Sequence, residues 1–295
     1  MGNRQTEYEL YLDYKRGEGD PSRVFHAMGN MIDMFSNLDE DLGAVISSSC
    51  TPSVVLTDIE SGSIRSKLRD VLIDLPDEAL NNADIRQLIG HFLLKSKYAI
   101  IRWCDKRDSV ESIDEIKSLE DEIESLAKES NVKKIPAYSP INRKRLLENL
   151  NHMSNALSVL EEHDSLAYWS PLGKVQFNKR FSISTEIITT VLTDKIITQR
   201  GTYVLKIKKP DYLGNSKWSV RHNGHSVDAK ISDMRWLFDF QKKGGVSLQP
   251  GDSIRADLKQ DTAIGYEGEI VHTWYEVEKV HEVIHAPPRN QQSLF

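Results

Sequence analysis

Residues 203–231 read YVLKIKKPDYLGNSKWSVRHNGHSVDAKI. Tyr203, Leu205 and Ile207 alternate with Val204, Lys206 and Lys208, the period of two that marks a half-buried strand. Trp218 and Val220 lead into His222-Asn223-Gly224-His225. Asn-Gly between two strand-like runs is the strongest short hairpin signal, because a tight I′ turn needs positive φ at both central residues. Val227, Ala229 and Ile231 make the return strand. A chain that spends this stretch on three strand-like runs, two of them tightly joined, is building a β module here.

Working outward, Ser232 or Asp233 can cap a short helix carrying Trp236, Leu237 and Phe240. Lys242-Lys243-Gly244-Gly245 ends it, with cations near the helix C-terminus and glycine after it. Pro250-Gly251-Asp252 is a turn, Ile254, Ala256 and Leu258 make another strand, and a last strand runs from about 270 to 283. Upstream, Val175, Phe177, Phe181 and Ile183 fit one strand, and the β-branched Ile187, Thr189, Val191 and Thr193 continue the same grammar. The expectation for 174–285 is a small, mostly antiparallel β-barrel or sandwich with one short helix. Residues 286–295, with Pro287 and Pro288, read as a disordered tail.

Ser170-Pro171-Leu172-Gly173 reads as a linker, and what precedes it has another composition. Tyr8, Leu10, Leu12 and Tyr14 alternate as a strand. Asp20-Pro21 opens a long amphipathic helix from Val24 to Ile46, with Asp20 as cap. Val54–Ile59 and Ile64–Ile73 flank Ser61-Gly62-Ser63 and read as a hairpin, and Ile85 to Trp103 as a second core helix. Residues 1–107 thus form a small α/β layer. In 108–168, Ile116, Leu119, Ile123 and Leu126 repeat with heptad-like spacing, and so do Leu150, Met153, Leu157 and Leu160 after Pro136. That predicts an antiparallel helical hairpin. Its seams either pack on each other and on the α/β layer or serve as an oligomer or partner surface. The fold class is α+β.

The run 205–218, LKIKKPDYLGNSKW, with the hairpin, SDMRWLFDF (232–240) and QPGDSIRADL (249–258), resembles the C-terminal module of uncharacterised bacterial two-domain proteins. DPSRVFHAM (20–28) and VVLTDIESGSIRSKLRDVL (54–72) are similar to their front part. The resemblance covers most of the chain and rests on turns, caps and core positions. It implies a place among bacterial accessory or anti-phage genes and no particular activity.

The chain has 295 residues, 39% apolar and 28% charged, enough to bury the cores of two domains. Its net charge of −6 hides a split. Residues 174–295 hold 18 Lys and Arg against 14 Asp and Glu, a net of +4. The first 173 hold 20 against 30, a net of −10. The excess concentrates between Arg200 and Lys230, where Arg200, Lys206, Lys208, Lys209, Lys217, Arg221 and Lys230 face only Asp211 and Asp228. With Tyr212 and Trp218 interleaved, cations on a small barrel suit a single nucleic-acid strand, an acidic protein surface, or a solvated edge that resists strand pairing.

Signals for catalysis are sparse. There is no P-loop, dinucleotide fingerprint, nucleophile elbow or His-Glu-x-x-His. Cys50 and Cys104 suggest neither a disulfide nor a zinc site. His222 and His225 flank the Asn-Gly turn, with His272, His281 and His285 downstream, and read as hairpin polars rather than a metal set. Asp58 and Glu60 share a strand face, with Asp70 and Asp74 as a conceivable continuation. No apolar leader or membrane span is evident, so a cytoplasmic location without membrane attachment and without a cofactor is expected. The leading expectation is a non-catalytic adaptor or sensor component that works through protein contacts or self-association. The alternatives are single-stranded nucleic-acid or RNA binding by the basic β module, and a metal-dependent hydrolase using Asp58 and Glu60.

Overall fold

Alternation in EYELYLD makes Glu7–Asp13 a strand, β1, with Tyr8, Leu10 and Leu12 on the buried face. The computed structural model describes residues 7–15, 17–46, 50–60, 64–74, 83–129, 139–242, 245–249 and 251–286. The Ser61-Gly62-Ser63 turn, the Pro136 loop, Lys243-Gly244, Pro250, the Glu60 and Asp74 side chains and the tail after Ala286 lie outside the described residues. The chain divides into two units, 1–191 and 192–295.

In the first unit, α1 spans Ser22–Ile46, and Asp20 Oδ1 accepts the Ser22 N–H at 2.8 Å, the capping its sequence predicts. Strands β2 (Thr51–Glu60) and β3 (Ile64–Asp74) pair antiparallel, as expected of a hairpin. Helices α2 (Ala83–Asp105), α3 (Ile113–Glu129) and α4 (Arg143–Ser158) follow, then β4 (Ser165–Ser170) and β5 (Gly173–Gln176). The antiparallel sheet has the order β2-β3-β1-β4-β5. Its helix-covered face buries Tyr8, Leu10, Leu12, Leu68, Leu166 and Tyr168, with Phe35 of α1 packed on the Tyr8 and Tyr168 rings.

Three expectations change here. Ser170-Pro171-Leu172-Gly173 is no linker but the tight β4–β5 connection, where Ser170 pairs with Gly173 at φ +126°. Because β4 pairs with β1, residues 1–107 and 108–168 complete one sheet and one core. The two seam helices do not rely on each other: α4 lies chiefly against α1 and α3 against α2, with Arg143 on α4 forking onto Glu120 of α3 at 2.8 and 2.9 Å. Residues 177–192 are also not strand. Phe177, Phe181 and Ile183 are buried in a loop held by Asn178, whose amide donates to the Cys104 and Arg107 carbonyls. Thr185–Leu192 is a helix, α5. Thr189 and Thr190 return their hydroxyls to the carbonyls four residues back, so β-branched residues sit in a helix with their polar groups satisfied.

The second unit holds β6 (Thr193–Lys209), β7 (Trp218–His222), β8 (His225–Ile231), α6 (Met234–Gln241), β9 (Ser253–Gly265) and β10 (Ile270–Ile284). The strands close a barrel in the order β10-β8-β7-β6-β9. Only β8 and β10 run parallel. A five-stranded barrel with this order and a helix between its third and fourth strands has the connectivity of the OB-type Greek-key barrel. The Asn-Gly turn forms as predicted, with Asn223 at φ 47° and Gly224 at 84°. Leu205, Ile207, Trp218, Val220, Ala229, Ile254, Ala256, Leu258 and Val277 fill the barrel. Helix α6 plugs it with Leu237 and Phe240, the latter 4.9 Å from Trp218. Asp233 starts α6 by accepting the Trp236 N–H, and its other oxygen accepts Val280 N–H beside a bulge in β10.

Candidate functional site

Burial of Leu205 and Ile207 inside the barrel forces Lys206 and Lys208 outward, since strand residues alternate. On β7 the same rule turns Arg221 out between buried Val220 and His222, and on β8 it turns Lys230 out between Ala229 and Ile231. Lys206 lies directly opposite Arg221. One wall of β6, β7 and β8 therefore gathers Lys206, Lys208, Arg221 and Lys230. Asp228 lies on that wall opposite Ser219, and Glu276 of the neighbouring β10 is the register partner of Lys230. Among the described residues none of the four cations has an ion-pair partner. Lys208 Nζ donates to Ser226 Oγ at 3.2 Å and Arg221 Nε to the Gly224 carbonyl at 3.0 Å. Those bonds position the cations without neutralising them.

On the wall of strands β6, β9 and β10 three cations hold acids, while Lys195 and Lys279 are exposed without an ion-pair partner among the described residues. Arg200 binds Glu278 at 3.2 Å, Arg255 binds Glu282 at 2.8 Å, and Lys259 binds Asp261 at 2.7 Å. Arg200 therefore leaves the expected set: it sits on the other wall with an acid attached. Lys209 stands at a register shift and Lys217 on the β6–β7 loop, both exposed. That loop has a built shape. Asp211 accepts the N–H groups of Leu213, Gly214 and Ser216 and the Ser216 hydroxyl, and these bonds hold its carboxyl well below the usual range. Gln241 donates to the Asp211 and Gly214 carbonyls. Tyr212 rests 5.2 Å from Phe240 and keeps about half its surface (52%) in solvent, an aromatic face at the rim of the cationic wall. Trp218, the other interleaved aromatic, is wholly buried core.

The histidines do not converge. His222 and His225 are register partners, but His222 points inward, where its ring meets Tyr203 edge-on at 4.7 Å. Burial lowers its pKa. His225 is exposed, His281 bonds Asp257 at 2.8 Å, and His285 bonds Asp252 at 3.0 Å. No cluster of three His, Cys, Asp or Glu suited to a metal occurs among the described residues. Asp58 pairs with Lys67 across the β2–β3 hairpin at 3.2 Å, an exposed ion pair. Asp70 does not continue that surface: it points into the core.

There it belongs to a cluster that sequence reasoning missed. Lys97 on α2 is wholly buried, its Nζ 2.7 Å from Asp39 Oδ2 on α1 and 2.7 Å from Asp70 Oδ2 on β3. The ammonium also lies 4.4 Å from the Tyr8 ring centre. Burial, with the charge of Asp70, pushes Asp39 well above the ordinary carboxylate range. Burial alone would pull Lys97 down, but Asp39 and Asp70 outweigh it and hold its pKa up. The ammonium and the two acids thus form one charged cluster in an apolar core. The signal was present as Asp39 and Lys97 at helix positions that belong to the buried face. The cluster is sealed, so it organises the core rather than meeting a substrate.

The heptad-like residues are also interior. Ile116, Leu119, Ile123, Leu150, Met153 and Leu157 are each at most 2% exposed, and Leu126 and Leu160 are half-buried. They line the first unit's core. A groove of about 290 Å³ between α1 and α4 is lined by Asn30, Asp33, Met34, Asn37, His152 and Asn155. No described helix is long and apolar enough to cross a membrane. No family model, curated protein or solved structure matches the chain.

Proposed function

We propose that the C-terminal barrel binds a single-stranded nucleic acid along its β6–β7–β8 wall. The observation that carries this reading is the contrast between the two walls. Lys206, Lys208, Arg221 and Lys230 share one face without ion pairs, while Arg200, Arg255 and Lys259 are neutralised. A polyanion gains most from cations that no carboxylate already holds, because each contact releases condensed counterions. The connectivity adds an argument from analogy. In OB-type barrels the face of the second and third strands, flanked by the first and last hairpin loops, binds oligonucleotides. Here those strands are β7 and β8. The flanking loops carry Tyr212 and Tyr266, each about half exposed and available for base stacking.

The test is fluorescence anisotropy of a labelled single strand, DNA and RNA in separate titrations, at low salt. Saturable binding that is lost in Lys206→Glu/Lys208→Glu supports the reading; a flat titration of the parent protein refutes it.

The adaptor reading, in a bacterial accessory or defence setting, keeps one observation in its favour. Strand β6 leaves a long stretch exposed that a protein could cover. Recovery of a stoichiometric protein partner that competes with the single strand would move the proposal to that reading.

A further inference from the structure

Residues 194–200 of β6 are exposed at every position, although the strand is paired with β9. A strand covered on one side shows alternating burial, so this stretch is a single layer with both faces in solvent. It includes Ile196 at 58% exposure and Ile197 at 45%. Among the described residues β6 takes a second strand, β7, only from Lys206 onward. The outer edge before that point offers unpaired main-chain groups, the situation that invites strand addition.

We propose that this edge pairs with the same edge of a second copy of the chain, in a two-fold antiparallel junction centred on Ile197. Parity and charge favour one register. Alternate residues direct their N–H and C=O to the free edge, so two identical edges match only when paired residue numbers sum to an even value. Centring on residue 195 or 200 sets Lys195 or Arg200 against itself. Centring on 196 or 198 sets Lys195 or Arg200 against isoleucine. Centring on 199 sets Arg200 against Thr198 and makes no opposite-charge pair. Centring on 197 sets Ile197 on Ile197, Ile196 against Thr198, Lys195 against Gln199, and Asp194 against Arg200 twice. Opposite charges across strands stabilise and like charges destabilise. Asp194 stands at a register shift, exposed, without an ion-pair partner among the described residues. Arg200 holds Glu278 through Nε, which leaves its terminal donors for a second carboxylate. The two-fold contact also closes on itself, whereas β6 on the free stretch Ile270–Trp274 of β10 would propagate.

The experiment is analytical ultracentrifugation of the full chain up to about 100 µM, where a concentration-dependent dimer is expected. Ile197→Cys should form a disulfide-linked dimer under mild oxidation, because the two side chains face each other across the axis. Val204→Cys, exposed on the same strand but beyond the junction, should stay monomeric on a non-reducing gel. Cys50 and Cys104 are buried, with thiols that burial pushes up (Cys50 to about 11), so they do not compete. Arg200→Asp should weaken the dimer about tenfold, and Asp194→Arg with Arg200→Asp should restore it. A monomer at every concentration, equal cross-linking of both cysteine variants, or no effect of Arg200→Asp in a folded protein would overturn the proposal.

Discussion

Replacing Lys97 with Met removes the one cation from the Asp39–Lys97–Asp70 cluster. Lys97 is wholly buried and both carboxyl oxygens lie 2.7 Å from its Nζ, so neither acid can recruit water in its place. Removing one partner of a buried ion pair costs roughly 3–5 kcal/mol. In a unit of this size each kcal/mol shifts Tm by about 2–4 °C, so the melt should fall by about 6–20 °C. Thermal unfolding followed by far-UV circular dichroism reads the first unit, which carries four of the long helices. The companion variant is Asp39→Asn. Burial and the charge of Asp70 raise Asp39, so the neutral amide should cost less than Lys97→Met, which leaves both acids without their cation. The pH dependence has a definite sign. A carboxyl with a raised folded-state pKa contributes stability below the ordinary carboxylate range, and that contribution is lost as pH rises through the folded value. Wild type should therefore lose stability relative to Asp39→Asn as pH rises above about 4. A Lys97→Met protein as stable as wild type, or Asp39→Asn as damaging as Lys97→Met, would refute this reading of the cluster.

Other outcomes follow from the same contacts. Leu150→Ala should cost about 2–5 kcal/mol of stability without changing mass in solution, since Leu150 closes a core; denaturant unfolding and sedimentation check it. Gly224→Ala forces a side chain to φ 84° in the hairpin turn and should cost roughly 1–2 kcal/mol in a melt of the barrel. His222 titrates below its ordinary value because it is buried, so the stability it contributes is present above about pH 6.5 and is lost as pH falls through its lowered value. His222→Phe should flatten the acid limb of the barrel's pH–stability curve. Asp252 accepts the Ala286 and Gln249 N–H groups and bonds His285, which holds its carboxyl at about 2. Asp252→Asn should selectively remove the loss of stability between about pH 4 and pH 2.

Much of the architecture was legible where a local rule and the packing agree. The Asn-Gly hairpin, the Asp20 cap, the alternation in β1 and the Asp233 start of α6 all formed from neighbouring residues alone. The misread segments were those where distant residues decide. Ser170-Pro171-Leu172-Gly173 has linker composition, but β4 is drawn into the sheet, between β1 and β5, by pairing with β1, more than 150 residues upstream. The exception is the β-branched run at 185–192, which has strand composition yet forms a helix in which Thr189 and Thr190 donate to carbonyls one turn back. The cationic wall was half legible: Lys206, Lys208, Arg221 and Lys230 follow from alternation. The loss of Arg200 to Glu278 needs a contact 78 residues apart, which no spacing shows. The buried Lys97 cluster joins three elements and has no motif at all.

The central claim is that the unpaired cations of β6, β7 and β8 grip a phosphate backbone. The salt dependence of single-strand binding tests it most directly. Four phosphate contacts give a slope of log K against log salt of about −2.8 for a single strand. Lys206→Gln with Lys208→Gln should make it shallower by about 1.4, while Lys259→Gln on the neutralised wall should leave it unchanged. Binding whose slope is indifferent to Lys206 and Lys208, or no binding at low salt, would contradict the account.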